Sequence, residues 1–247
     1  CRTSGKKDVF ILGDMIGFGP QSNECLDIIR EEMQKTQESG EGLQIRCILG
    51  NHELYSIMGN KSFLSSNGFE AENTRRVREE LSPENRAFIE SLPLSRKLVI
   101  DGKKVELSHF PIKKFHTRDS SLYYSHGESF VESDLAVGQG QEFLIYGHEH
   151  RTETTSGDEV GTTLTTKIGN TDFINLPSSG CVHGGKTSFV TISFETEGEE
   201  TKMIPTVESV DYDREKLDEV LIDTKNPKAH FFGGIKKNNS GGEYSGR

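Results

Sequence analysis

The sequence predicts an α/β fold built on parallel strands. Three observations carry that expectation: short apolar runs that end at glycines, an amphipathic helix between the first two of them, and a second half rich in Thr, Ile, Val and Phe. Val9 to Leu12 is the first run, closed by Gly13, and reads as a buried strand. Pro20 to Glu38 reads as a helix, with Ser22 or Asn23 as its cap and Cys25, Leu26, Ile28, Ile29 and Met33 as its apolar stripe. Gly40 and Gly42 end that helix, and Ile45 to Leu49 forms the next strand. Strand, helix, strand is the rhythm of a parallel sheet with crossover helices.

The remaining elements follow from local chemistry. Glu70 to Leu81 is a polar helix; Ser82-Pro83 then supplies an N-cap and a proline at the first helical position, and Pro93 closes the second helix. Lys97 to Ile100 and Lys103 to Ser108 flank Asp101-Gly102, a hairpin signal. Gln141 to Tyr146 is a strand that ends at Gly147. Thr162 to Val207 holds several consecutive strands, and Tyr212 to Ile222 a short amphipathic helix. The end, Gly233 to Arg247, is rich in Gly, Asn, Ser and Lys. The expected organisation is one domain over 1–228 and a disordered tail over 229–247.

Composition narrows the function classes. A net charge of −10 argues against a general nucleic-acid surface. No apolar run approaches the roughly 20 residues that span a bilayer. The four cysteines, Cys1, Cys25, Cys47 and Cys181, are widely spaced with no CxxC pair. With no apolar leader visible, they predict a reducing, cytoplasmic setting. The oligomeric state is left open.

Four polar clusters each follow a strand: Gly13-Asp14, Gly50-Asn51-His52-Glu53, His109, and Gly147-His148-Glu149-His150. Ligands of open α/β sheets bind just beyond the carboxyl ends of the strands. The donors are carboxylate, amide and imidazole, with no thiol, a set that suits divalent ions. Two such ions about 3.5–4 Å apart activate water against a phosphoester. Taken singly, each cluster has a plainer reading. Gly-Asp is a turn, His109 a satisfied structural histidine, and Asn51 a helix N-cap. His148 and His150 share a face of an extended segment.

The ordered set resembles the calcineurin-like metallophosphoesterase superfamily. The stretch "GDMIGFGPQSNECLDIIR" is similar to its bacterial and archaeal branch, as are "LSPENRAFIESLP" and "YDREKLDEV". The resemblance implies a two-sheet β-sandwich flanked by helices, in four layers αββα. It implies a phosphohydrolase that cleaves phosphomonoesters or phosphodiesters, nucleotides among them, through a metal-bridged hydroxide. Asp14 would bridge two divalent ions (Mn, Fe, Zn, Ni or Co); Asn51, His109 and His148 would complete one site, and His150 would ligate the other ion. His52 would assist the leaving group, and Glu53 would hold the His52 ring. "NLPSSG", Asn175 to Gly180, loosely resembles the loop that closes the site in this family.

The family's first motif, Asp-x-His, is absent from these 247 residues, and only 13 residues precede Asp14. The expectation is therefore a fold without its first strand and a second metal site left incomplete. The alternative reading is a catalytically impaired metal-binding or scaffold member of the same fold. A β-lactamase-type hydrolase is the weakest reading, because the clustered His-x-His-x-Asp-His string is missing. His183 is a candidate substrate contact, while His116, His126 and Lys113-Lys114 read as solvated loop residues.

Overall fold

The computed structural model describes residues 8–58, 69–111, 140–155, 158–180, 186–198, 200–223, 236–237 and 244–245. Strand β1 (Asp8–Ile11) pairs in parallel with β2 (Gln44–Cys47), from Asp8 opposite Gln44 to Ile11 opposite Cys47. Helix α1 (Ser22–Ser39) is the crossover between them. It stops at Gly40, which takes a left-handed φ of 69° and returns its N–H to the Thr36 carbonyl at 2.9 Å.

The start of α1 departs from the expectation. Gln21 occupies the cap position with no side-chain hydrogen bond. Asn23 is used elsewhere: its amide donates to the Glu80 carbonyl at 2.7 Å and its Oδ1 accepts from Ser82 N–H at 3.0 Å. The side chain ties α1 to the turn between α3 (Phe69–Glu80) and α4 (Pro83–Ser91). The apolar stripe is also narrower than expected. Leu26 is fully buried, but Ile28 is 63% exposed, because it sits about 200° around the helix from Leu26. At α4 the expectation holds: Ser82 Oγ accepts from Asn85 N–H at 3.2 Å and Pro83 opens the helix.

The main sheet has five strands in the order β3-β4-β5-β9-β8. β3 (Ser95–Ile100) and β4 (Lys103–Ser108) form the expected hairpin, with Asp101 and Gly102 both at positive φ, 49° and 77°. β4 and β5 (Phe143–Tyr146) are parallel, as are β5 and β9 (Thr171–Asn175). β8 (Leu164–Ile168) closes the edge antiparallel to β9. A short hairpin, β6 (Thr152–Thr155) with β7 (Asp158–Gly161), precedes β8. A long one, β10 (Lys186–Glu197) with β11 (Glu200–Asp211), leads into α5 (Arg214–Asp223).

Period-two alternation splits the interior in two. Leu144, Tyr146 and Phe173 face the helices, where Leu26, Val77, Leu81 and Ile89 complete one cluster. Phe143, Ile145, Ile174, Val105 and Leu107 face the other way and meet Met203, Ile192 and Phe194 of the long hairpin. Helices therefore cover one face of the sheet and a second strand layer covers the other. Among the described residues β1 and β2 have only each other as strand partners. Most of the 229–247 tail lies outside the described residues; within it β12 (Lys236–Lys237) pairs with β13 (Tyr244–Ser245).

Candidate metal centre

Two loops meet back to back at the carboxyl ends of β1 and β2. A Cβ on Gly13 would lie 2.4 Å from the Gly50 nitrogen, and one on Gly50 would lie 2.2 Å from Asp14 Oδ1. Neither position admits a side chain. Asp14 itself sits at φ 55°, in the left-handed region, and His148 after β5 does the same at 64°. Both backbones are bent against their preference so that the side chains turn inward.

Helix α2 (Asn51–Met58) begins at this crossing, and one of its first amides, that of His52, is capped from the other loop. Asp14 Oδ1 accepts from the His52 N–H at 3.0 Å, the service an N-cap side chain usually gives. Asn51 is thereby not needed as a cap. Its Oδ1 lies 2.9 Å from His109 Nε2 and 3.1 Å from His148 Nδ1. Asp14 Oδ2 is 3.2 Å from the same His109 Nε2. Asp14, His109 and His148 each offer a ligand atom within 4.8 Å of the others.

The lone pairs of this cluster point at one another. His109 Nδ1 is 2.6 Å from the Leu12 carbonyl, which can only accept, so Nδ1 carries a proton. In the neutral ring Nε2 is then an acceptor, facing a carboxylate oxygen and an amide oxygen that are also acceptors. Such a convergence is satisfied by a cation. Burial alone would raise the Asp14 carboxyl, but the charges of His109 and His52 and the hydrogen bonds from both pull it below the usual carboxylate range. Burial opposes charge on His109, yet Asp14 beside it and the Leu12 carbonyl raise its pKa above the ordinary value. A donor set of one carboxylate, one amide and two imidazoles fits a divalent metal ion.

Glu53 departs from the role expected of it. Its carboxylate is fully buried and accepts four backbone amides: Asp14, Met15 and Gly50 at 2.7 Å, and Ile16 at 3.3 Å. None of these partners is the His52 ring. Glu53 is the third residue of α2, the position from which a glutamate reaches back to the amide before the helix, here Gly50. Its spare acceptor sites then take the Asp14 loop. Burial and the Asp14 charge push the carboxyl up to about 7, while the amide bonds act in the opposite direction.

His52 is held by packing instead. Its ring makes edge contacts with Phe18 at 4.8 Å and Tyr55 at 5.9 Å between centroids. Gly17, at φ 125°, lies flat against it, since a Cβ there would be 2.8 Å from His52 Nδ1. Phe110 does similar work behind the ligands, 4.9 Å from the His109 ring and 4.2 Å from that of His148. Sequence reasoning did not single out Gly17, Phe18 or Phe110. The Gly17-Phe18-Gly19 string was a usable signal for the first two; Phe110 carries none beyond its place after His109. His150 is half-buried two residues beyond His148 and stands outside the group of converging ligand atoms. Asn175, at the end of β9, is fully buried and its amide donates to the Gly147 carbonyl at 2.9 Å, so the "NLPSSG" segment is anchored to the His148 turn. His183, His116, His126 and Lys113-Lys114 lie outside the described residues.

Residues 1–152 of the 247 match the calcineurin-like phosphoesterase family, more than half the chain, and the protein belongs to that family. Over 108 residues it is 33% identical to the uncharacterized protein MJ0912 of Methanocaldococcus jannaschii, covering 44% of this chain and 40% of that one. The chain therefore spans less than half the length of this relative. The crystal structure of hypothetical protein PH1004 from Pyrococcus horikoshii OT3 shares the fold, with a TM-score of 0.60 at 15% identity over 94% of this chain and 86% of that chain. A metallophosphoesterase from Sphaerobacter thermophilus superposes with a TM-score of 0.49 at 16% identity, over 92% of this chain and 90% of that chain. The mixed α/β fold of the family is present, and no described helix is long and apolar enough to cross a membrane.

Proposed function

We propose that the protein is a metal-dependent phosphohydrolase acting on phosphomonoesters or phosphodiesters, nucleotides among them. The observation that supports this most is the convergence of acceptor atoms from Asp14, Asn51 and His109 beside His148. These four residues would hold a divalent ion, manganese being the first to try, and Asp14 with His150 would be the two ligands left to a second, incomplete site. An ion bound there supplies a Lewis acid for phosphoryl oxygen and acidifies water. The chain's residues do the rest. Asp14 stays ionised because its carboxyl is held below the usual range. Glu53 fixes the two loops that carry Asp14 and Asn51. His52, braced by Phe18 and Tyr55, gives its proton to the leaving oxygen. The widely spaced thiols, Cys25 and Cys47 being free, support work in the reducing cytoplasm.

The test is hydrolysis of an alkyl phosphate, whose leaving oxygen needs a proton, by the full chain with Mn²⁺. His109→Ala abolishes both Mn²⁺ binding, read by calorimetry, and hydrolysis. His52→Ala keeps the binding and lowers the rate about 100-fold. An unchanged rate in His52→Ala would sink the proton-donor role. The second reading, an impaired member that binds one ion, is favoured by the position of His150 outside the ligand group. One bound ion per chain and no turnover would decide for it.

A further inference from the structure

A polar network reaches the site from α3. Asn73 is fully buried and its Nδ2 donates to the Gly17 carbonyl at 2.8 Å. Arg76 Nη2 donates to the Gly19 carbonyl and to Asn73 Oδ1, both at 3.1 Å, and less closely to the Gly17 carbonyl at 3.4 Å. Its other terminal nitrogen is tied to Glu80 at 2.6 Å, so the side chain, 19% exposed, is anchored at both ends. Asn and Arg are rarely buried unless their partners need them. Leucine would pack α3 against the core without desolvating an amide.

The segment they grip is the one that touches His52. Gly17 lies against the imidazole and Phe18 meets it edge-on. Two glycines in three residues would otherwise leave this wall free to move. We infer that Asn73 and Arg76 are positioning residues: they fix the Gly17–Gly19 segment and, through it, the orientation of the His52 ring. This rests on the reading of His52 as proton donor to the leaving oxygen. Neither residue touches the metal ligands in the contacts described, so the effect belongs to proton transfer and not to metal binding.

The experiment compares two substrates of the full chain with Mn²⁺: p-nitrophenyl phosphate, whose leaving group needs little protonation, and an alkyl phosphate, whose leaving group needs much. The readout is the ratio of kcat/KM for the two. His52→Ala lowers the alkyl ester rate about 100-fold more than the nitrophenyl rate. Asn73→Leu moves the ratio the same way by about 10-fold, as a misplaced donor does. Arg76→Lys, which keeps one donor, falls between Asn73→Leu and the parent. Mn²⁺ affinity stays constant across the three. Equal losses on both esters in Asn73→Leu, with the His52→Ala ratio shifted, would reduce Asn73 to a structural residue and overturn the inference. A fall in Mn²⁺ affinity would overturn it too. No ratio shift in His52→Ala refutes the underlying reading instead. Should Asn73→Leu fail to fold, Arg76→Lys decides alone by the same ratio.

Discussion

At the scale of single residues, the site is organised by Glu53, which touches no ligand atom of the converging group. One carboxylate takes four amides from two loops, with no exposure to water. Replacing it with alanine strands those amides. Glu53→Ala should therefore lose at least about 3 kcal/mol, read as a lower urea midpoint at constant slope. An unchanged midpoint would show that the loops hold themselves. The polar residues of the site were legible in the sequence because each follows a strand and together they form an ordered set. The partner of Glu53 was not. Its amides lie 37 to 39 residues away along the chain at Asp14, Met15 and Ile16, and no spacing rule brings them together. Only the Gly50 amide, three residues back, was within reach of a local pattern.

At the scale of elements, legibility tracked how local each signal was. Ser82 and Pro83 begin α4 as expected because cap and proline act within one turn. Ser82→Ala should cost about 1 kcal/mol, measured by thermal or urea unfolding, and leave metal binding intact. A loss of several kcal/mol would mean that the turn carries tertiary contacts beyond its cap. Asn23 shows the opposite case. A good capping residue at a helix start was recruited across space to the α3–α4 turn, which left Gln21 to begin α1. Tertiary demand overrode local preference there. α2 extends the theme: Asp14 serves the His52 amide and Glu53 the Gly50 amide just before the helix, so Asn51 keeps its oxygen for the two histidines.

At the scale of the whole molecule, the class was legible and the strand order was not. The alternation of apolar runs with helices predicted α/β. The order β3-β4-β5-β9-β8 depends on which apolar faces find each other, and β5, buried on both sides, pairs with β9 across 24 intervening residues. The cluster joins chain from β1, α2, β4 and β5, so an ion bound there would bind the folded form alone. Mn²⁺ at about a hundredfold excess over its Kd should stabilise the protein by about 2.7 kcal/mol and raise Tm by about 5–10 °C. His148→Ala should erase the shift, and a persisting shift would place the ion elsewhere.

Asp14 and His148 share one further property. Each spends backbone energy, on the order of 1–2 kcal/mol, to hold a left-handed conformation that glycine would adopt freely. A redesign guided only by thermal robustness would put glycine at both positions and be rewarded for it. It would also delete the carboxylate and one imidazole of the cluster. Durability and chemistry pull in opposite directions at these two codons, and a hardened variant should be inspected there first.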